Sequence, residues 1–171
     1  QDGRPVAFDL SAGTHRLQLA PREDQIEVDR FVVTDDWHYR PRATDTRGPT
    51  PSRAHRIWLE AESGWLEAPL RVENAPAASG WRYMAAPSGE SSVDSPPATG
   101  RATFSFTVPD TGPYRLWGRV VAPSGNSNSF WLRMDDGPWI RWNEIRRGTR
   151  WHWDQVHNSD AGGAPVRFEL S

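Results

Sequence analysis

The sequence predicts an all-β protein, an antiparallel two-sheet β-sandwich or a barrel, and three observations carry that expectation. Short segments with alternating apolar and polar residues recur from one end to the other. Most are separated by strong breakers, among them Pro109-Asp110-Thr111-Gly112, Pro123-Ser124-Gly125-Asn126 and Asp135-Asp136-Gly137-Pro138. No stretch of useful length carries a helical period.

Taken in order, Pro5 to Leu10 alternates as a strand, Ser11-Ala12-Gly13 forms a turn and His15 to Leu19 alternates again, which predicts a hairpin. A polar run, Arg22 to Gln25, leads into Ile26, Val28 and the β-branched run Phe31-Val32-Val33-Thr34. Asp29 interrupts that strand. A carboxylate among apolar residues is too costly to bury alone, so it meets a cation or an arginine, or lies at a sheet edge. Residues 37–56 are rich in proline and arginine and poor in aliphatic residues, which marks a linker. Trp37, His38 and Tyr39 within it are read as a segment pinned to the domain surface.

The strands expected after the linker are Ile57–Glu62, Leu70–Glu73, Arg82–Met84, Ala102–Val108, Tyr114–Val121, Ser129–Met134, Trp139–Trp142, Trp151–Val156 and Val166–Leu170. In the first of them Glu60 and Glu62 would project from one face, with Ile57, Leu59 and Ala61 on the other. Two carboxylates on one face suit a hard cation such as calcium, and a solvated strand face is the plain alternative.

The 171 residues are enough for one large domain or two small ones. Without cysteine there is no disulfide framework and no thiolate metal site. A net charge of −2 with interspersed acids and bases argues against a nucleic-acid footprint and a polybasic membrane surface. No apolar run is long enough to span a bilayer, and no signal peptide is present, so a secreted protein would carry its signal upstream.

A repeat organises the chain. Arg4-Pro5-Val6-Ala7-Phe8-Asp9-Leu10-Ser11 is matched by Ala164-Pro165-Val166-Arg167-Phe168-Glu169-Leu170-Ser171. Substitutions keep the pattern, so the chain reads as part of a tandem array, out of phase with module boundaries. Residues 1–36 would be the terminal strands of a module, 37–56 a linker and 57–171 the main body, with 1–36 and 57–171 forming one domain. Residues 12–36 would supply the strands the main body lacks, leaving Pro5–Leu10 and Pro165–Leu170 to compete for one slot, within a monomer or in a strand-exchanged dimer.

These pieces resemble the calcium-binding jelly-roll carbohydrate-binding modules of families 6 and 35. The match rests on Leu59-Glu60-Ala61-Glu62, on Thr111-Gly112-Pro113-Tyr114-Arg115-Leu116, and on Ser127-Asn128-Ser129-Phe130 leading into Asp135-Asp136-Gly137-Pro138-Trp139. Ala12-Gly13-Thr14-His15-Arg16-Leu17 and Val28-Asp29-Arg30 complete it once the N-terminal segment is moved to the end. The resemblance implies a jelly roll with a structural calcium at Glu60, Glu62 and Asp29, the aspartate reaching the glutamates of its own module or of a neighbour. It also implies non-catalytic binding of a polysaccharide, beside a glycoside hydrolase or polysaccharide lyase on a secreted or surface-bound chain.

Sugar binding needs flat apolar faces for pyranose rings and planar polar groups for paired hydroxyls. Candidates are Trp81, Tyr83, Asn126, Asn128, Trp142, Asn143, Arg22, Glu23 and the pair Trp151 and Trp153, which share a strand face and are core or exposed together. Trp58, Trp117 and Trp131, inside strands, are expected to be core. A structural or adhesion module without a sugar site is the second reading. A small polysaccharide-degrading enzyme is the third, weakened because Asp135-Asp136 before Gly-Pro reads more simply as a hairpin than as a catalytic pair.

Overall fold

The computed structural model describes residues 4–43, 45, 54–159 and 167–169. In chain order the strands are β1 (Arg4–Pro5), β2 (Ala7–Leu10), β3 (Gly13–Pro21), β4 (Glu27–Thr34), β5 (Arg56–Glu60), β6 (Trp65–Leu66), β7 (Arg71–Asn74) and β8 (Arg82–Ala85). Then follow β9 (Ala102–Val108), β10 (Gly112–Ala122), β11 (Phe130–Met134), β12 (Ile140–Trp142), β13 (Gly148–Gln155), β14 (His157–Asn158) and β15 (Arg167–Glu169). They form two main sheets, an all-β sandwich. One runs β12-β11-β3-β9-β6; the other runs β15-β2-β10-β4-β8-β7, with β13 also on β10 and β5 also on β4. β1 and β14 pair separately.

The core lies between the sheets, and alternation puts it there. On β9, Ala102, Phe104, Phe106 and Val108 are buried in the core; on β10 Tyr114, Leu116, Val120 and Ala122 face them. Fully burying one such Leu or Phe side chain is worth about 1.5–3 kcal/mol. Gly118 of β10 belongs to the same inward row, and a Cβ there would come 2.5 Å from the Trp142 ring. The missing side chain is the space that Trp142 fills.

The N-terminal strands are central. β4 lies between β10 on one side and β5 and β8 on the other, and β3 between β9 and β11. On β4 the register against β10 shifts at Asp29, because Arg119 faces Arg30 while Val120 faces Val28. The hairpin expected from Pro5 to Leu19 does not form. β2 joins the larger sheet and β3 the smaller one, because each has a row of large apolar residues to bury and the Ser11-Ala12 connection crosses between the layers.

The strand expected over 57–62 ends at Glu60. Residues Ala61–Ser63 form a 3-10 turn, in which the Ser63 hydroxyl donates to the Glu60 carbonyl at 2.7 Å. Next comes Gly64, where a Cβ would strike the Phe104 ring at 2.5 Å. Glu62 therefore leaves the strand's alternation.

Past β4 the chain crosses the outer face of the larger sheet as a strap, described for residues 37–43 and 45. Asp36 starts it, accepting the backbone N–H groups of His38 and Tyr39 at 3.0 and 3.1 Å. Tyr39 packs with Val32 and Trp117, and Trp58 and Trp153 close the cluster. The expectation of a pinned surface segment matches this arrangement.

Candidate functional site

Outward side chains of the larger sheet build an aromatic-lined groove. Trp151 of β13 and Tyr83 of β8 meet edge to face, ring centroids 5.4 Å apart at 68°. Arg119 of β10 lies with its guanidinium 5.7 Å from the Trp151 ring. These three, with Glu27, Ala75, Ala77, Val121, Pro123, Thr149 and Arg150, line a groove of about 630 Å³. It shares Pro123 and Thr149 with a shallower depression of about 790 Å³ that includes Arg146 and Arg147. It shares Glu27 and Pro123 with another of about 340 Å³ that includes Arg71 and Glu73. The three share Pro123 and make one trough, its acidic end at Glu27 and Glu73 and its basic end at Arg146 and Arg147.

The acidic end is coupled. Burial pushes the Glu27 carboxyl above the usual carboxylate range, and the Glu73 charge adds to that, while a hydrogen bond from Tyr83 opposes it. Tyr83 donates to Glu73 Oε2 at 3.0 Å and Arg71 Nε donates to Glu73 Oε1 at 2.5 Å, and these bonds pull the Glu73 carboxyl down. Burial, the Glu27 charge and the Glu73 contact push the Tyr83 hydroxyl up to about 12, so it donates throughout the physiological range.

The other sugar candidates scatter. Trp153 shares the outer face with Trp151, as their spacing predicts, but it is roofed by the strap: its Nε1 donates to the Arg42 carbonyl at 3.1 Å. Its ring lies 5.8 Å from Trp58, and the Arg30 guanidinium sits 5.0 and 5.5 Å from Trp58 and Trp153. Trp117 and Trp131 are buried, yet on the outward rows of their sheets; strap and loop cover them, Trp131 Nε1 donating to the Ser92 carbonyl at 2.7 Å.

Trp142 corrects the expectation of a sugar ligand. It is 0% exposed, tilted on Phe130 at 6.0 Å, with Nε1 donating to buried Asp154 at 3.3 Å. Arg22, Glu23 and Asn128 do meet, but they bond one another: Arg22 Nη1 donates to Glu23 Oε1 at 3.3 Å and to Ser129 Oγ at 3.1 Å, and the Asn128 N–H donates to Glu23 Oε2 at 2.9 Å. Asn126 is exposed in the adjoining turn, and the Asn143 carbonyl accepts from His157 Nε2 at 2.5 Å.

Trp81 is 69% exposed, ending the 3-10 turn Ser79–Trp81 with a φ of +66°. The sequence reading missed Trp65, on the edge strand β6 and 75% exposed. Ser63-Gly64 ahead of it is the signal: the breaker frees the next residue from the Ile57 strand.

Asp29 is 0% exposed and takes the arginine alternative. Arg119 Nη1 donates to its Oδ2 at 2.5 Å, the Ser79 N–H donates to Oδ1 at 2.6 Å, and Arg30 Nε stands 3.7 Å away. Glu60 and Glu62 each keep a buried Oε2 without a hydrogen-bond partner. Burial raises the Glu62 carboxyl, and the charges of Glu60 and Asp29 raise it further. The two orphaned oxygens fit an oxygen-seeking cation; Asp29, with both oxygens engaged, does not offer one. Among the described residues no group of three or more His, Asp or Glu side chains is disposed to hold a metal, and no helix is long and apolar enough to cross a membrane.

Compared with family models, curated proteins and solved structures, the chain matches none.

Proposed function

We propose that the chain is a non-catalytic carbohydrate-binding module that attaches a parent enzyme or surface protein to a polysaccharide outside the cell. The observation that supports this best is the trough. The half-buried Trp151 offers a pyranose ring its indole, braced edge to face by the buried Tyr83, while Arg119, Arg150 and Glu27 line the same groove with hydrogen-bonding groups. Groove and adjoining depressions together leave room for several residues of a neutral or uronic-acid-containing glycan. The adhesion reading would gain if Trp81, Trp142, Trp151 and Trp153 were all buried, and only Trp142 is fully so. A glycan array followed by tryptophan-fluorescence titration is the test: saturable quenching by a bound oligosaccharide is expected, and no binding across neutral and uronate glycans removes the reading.

A structural calcium belongs to the same proposal, held by Glu60 and Glu62, with Asp29 joining only if Arg119 yields it. Ligand binding to the folded state raises stability by mass action, so melting temperature should rise with calcium and fall with chelator. A melting temperature that moves in neither direction ends the calcium reading.

A further inference from the structure

β2 lies antiparallel on β10, with Leu10 opposite Gly112, Asp9 opposite Pro113, Phe8 opposite Tyr114 and Ala7 opposite Arg115. β15 lies on the far side of β2 and parallel to it, with Arg167 opposite Ala7, Phe168 opposite Phe8 and Glu169 opposite Asp9. The sequence repeat pairs the same residues: Pro-Val-Ala-Phe-Asp-Leu at 5–10 and Pro-Val-Arg-Phe-Glu-Leu at 165–170. Each residue of β15 therefore sits beside its own counterpart.

From this register we infer that the slot beside β10 has two interchangeable occupants, and that segment 165–170 of the same chain can replace segment 5–10 as the antiparallel neighbour of Gly112–Arg115. The direction already agrees, since a strand parallel to β2 is antiparallel to β10. The phase agrees too, so the replacement is a shift of one strand spacing, about 4.8 Å, with no slide along the strand. The core requirement is met in the sequence: Val6, Phe8 and Leu10 are each 1% exposed, and the segment offers Val166, Phe168 and Leu170 at the matching positions. The unequal pair is Ala7 and Arg167: Ala7 lies on the face turned away from the core but is only 5% exposed, so an arginine in that slot has to carry its charge out past the covering residues on its aliphatic stem. The segment left out becomes a free strand of unsatisfied pairing groups, able to add to another sheet edge. This inference rests on the repeat and the register, and stands apart from the carbohydrate reading.

The absence of native cysteine makes disulfide trapping a direct test. Ala7→Cys with Arg115→Cys reports the resting arrangement. Arg167→Cys with Arg115→Cys reports the replacement, because two strand spacings, about 9.6 Å, exceed the roughly 7 Å reach of a disulfide between Cα atoms. Arg167→Cys with Arg133→Cys, on the other sheet, is the control. Under mild oxidation of dilute protein, an intrachain crosslink is expected for the first two pairs and not for the control. Adding Phe8→Arg, which evicts the resident strand, should speed crosslinking of 115 with 167 by at least about tenfold by shifting the population. The inference is overturned if 115 and 167 stay unlinked while 7 and 115 link, if the link forms only between chains, or if the control pair links equally.

Discussion

The outer face of the larger sheet has two halves made from the same materials and finished differently. In one, Trp117, Trp153, Trp58 and Val32 lie under the strap. In the other, Trp151, Tyr83, Arg119 and Glu27 line an open groove. Both set guanidinium groups against indoles, at 5.0 Å for Arg30 on Trp58 and 5.7 Å for Arg119 on Trp151. What separates them is occupancy. The covered half is filled by a piece of its own chain, which supplies the Tyr39 ring, a guanidinium and main-chain carbonyls: Arg40 stacks 5.4 Å from Trp117, and Arg30 Nη2 donates to the Asp45 carbonyl at 2.7 Å. The open half carries the same kinds of group around an unfilled groove.

Arg119 stands at the boundary, paired to Asp29 and cross-strand from Trp153. Arg119→Ala should have the largest effect, about 3–5 kcal/mol of lost stability read by chemical denaturation, because it strands a buried carboxylate. Tyr39→Ala comes next. Removing a buried ring costs about 3 kcal/mol, equivalent to a melting temperature lower by about 6–12 °C, and the uncovered tryptophans should red-shift the fluorescence.

The sharpest contrast is between neighbours two residues apart. Trp151→Ala should weaken glycan binding about tenfold, the loss of roughly 1.4 kcal/mol of stacking, with little change in melting. Trp153→Ala should do the reverse, lowering the melting temperature and sparing affinity. Equal effects from both would erase the distinction between the halves.

The smallest effect concerns pH. The Glu27 carboxyl is raised in the folded state by burial first and the Glu73 charge second, so the stability tied to its protonated form is fully present below the ordinary value of 4.5 and is lost as pH rises through the raised one. Glu27→Gln should therefore match the parent protein in acid and melt slightly higher at neutral pH; the opposite ranking would mean the carboxylate has a partner in the groove.

Much of the fold was legible because alternation is a local signal. Ala102–Val108 was read residue for residue, its inward row being Ala102, Phe104, Phe106 and Val108. Which strands become neighbours was less legible: β2 and β3 follow each other across a turn as a hairpin would, and nothing local says that they close opposite layers. The site divided in the same way. Trp151 and Trp153 on one face follow from the two-residue period, whereas the strap over one and not the other is a tertiary fact. Trp142 was recoverable, since Ile140 and Trp142 share an inward face on β12, but its socket is Gly118, far away in the sequence.

The register shift at Asp29 has a consequence for how β4 can vary. Beyond it towards the chain's start, Ile26 and Val28 point into the core; after it, Phe31 and Val33 do. Even-numbered residues are inside on one side of the aspartate and odd-numbered ones on the other, as in a reading frame changed by a single insertion. The extra residue turns Glu27 outward to the groove and Val28 inward. Deleting Asp29 would remove an ion pair and the bulge together but keep the phase: Arg30 would stay opposite Arg119 and Val28 opposite Val120 in an unbroken ladder, with Val28 inward and Glu27 outward. What holds Glu27 in the groove is that Asp29 stays out of the ladder. Drawn into regular alternation, with the later half of β4 held by β10 and β5, Asp29 would turn inward, send Val28 to the groove and drive Glu27 towards the core.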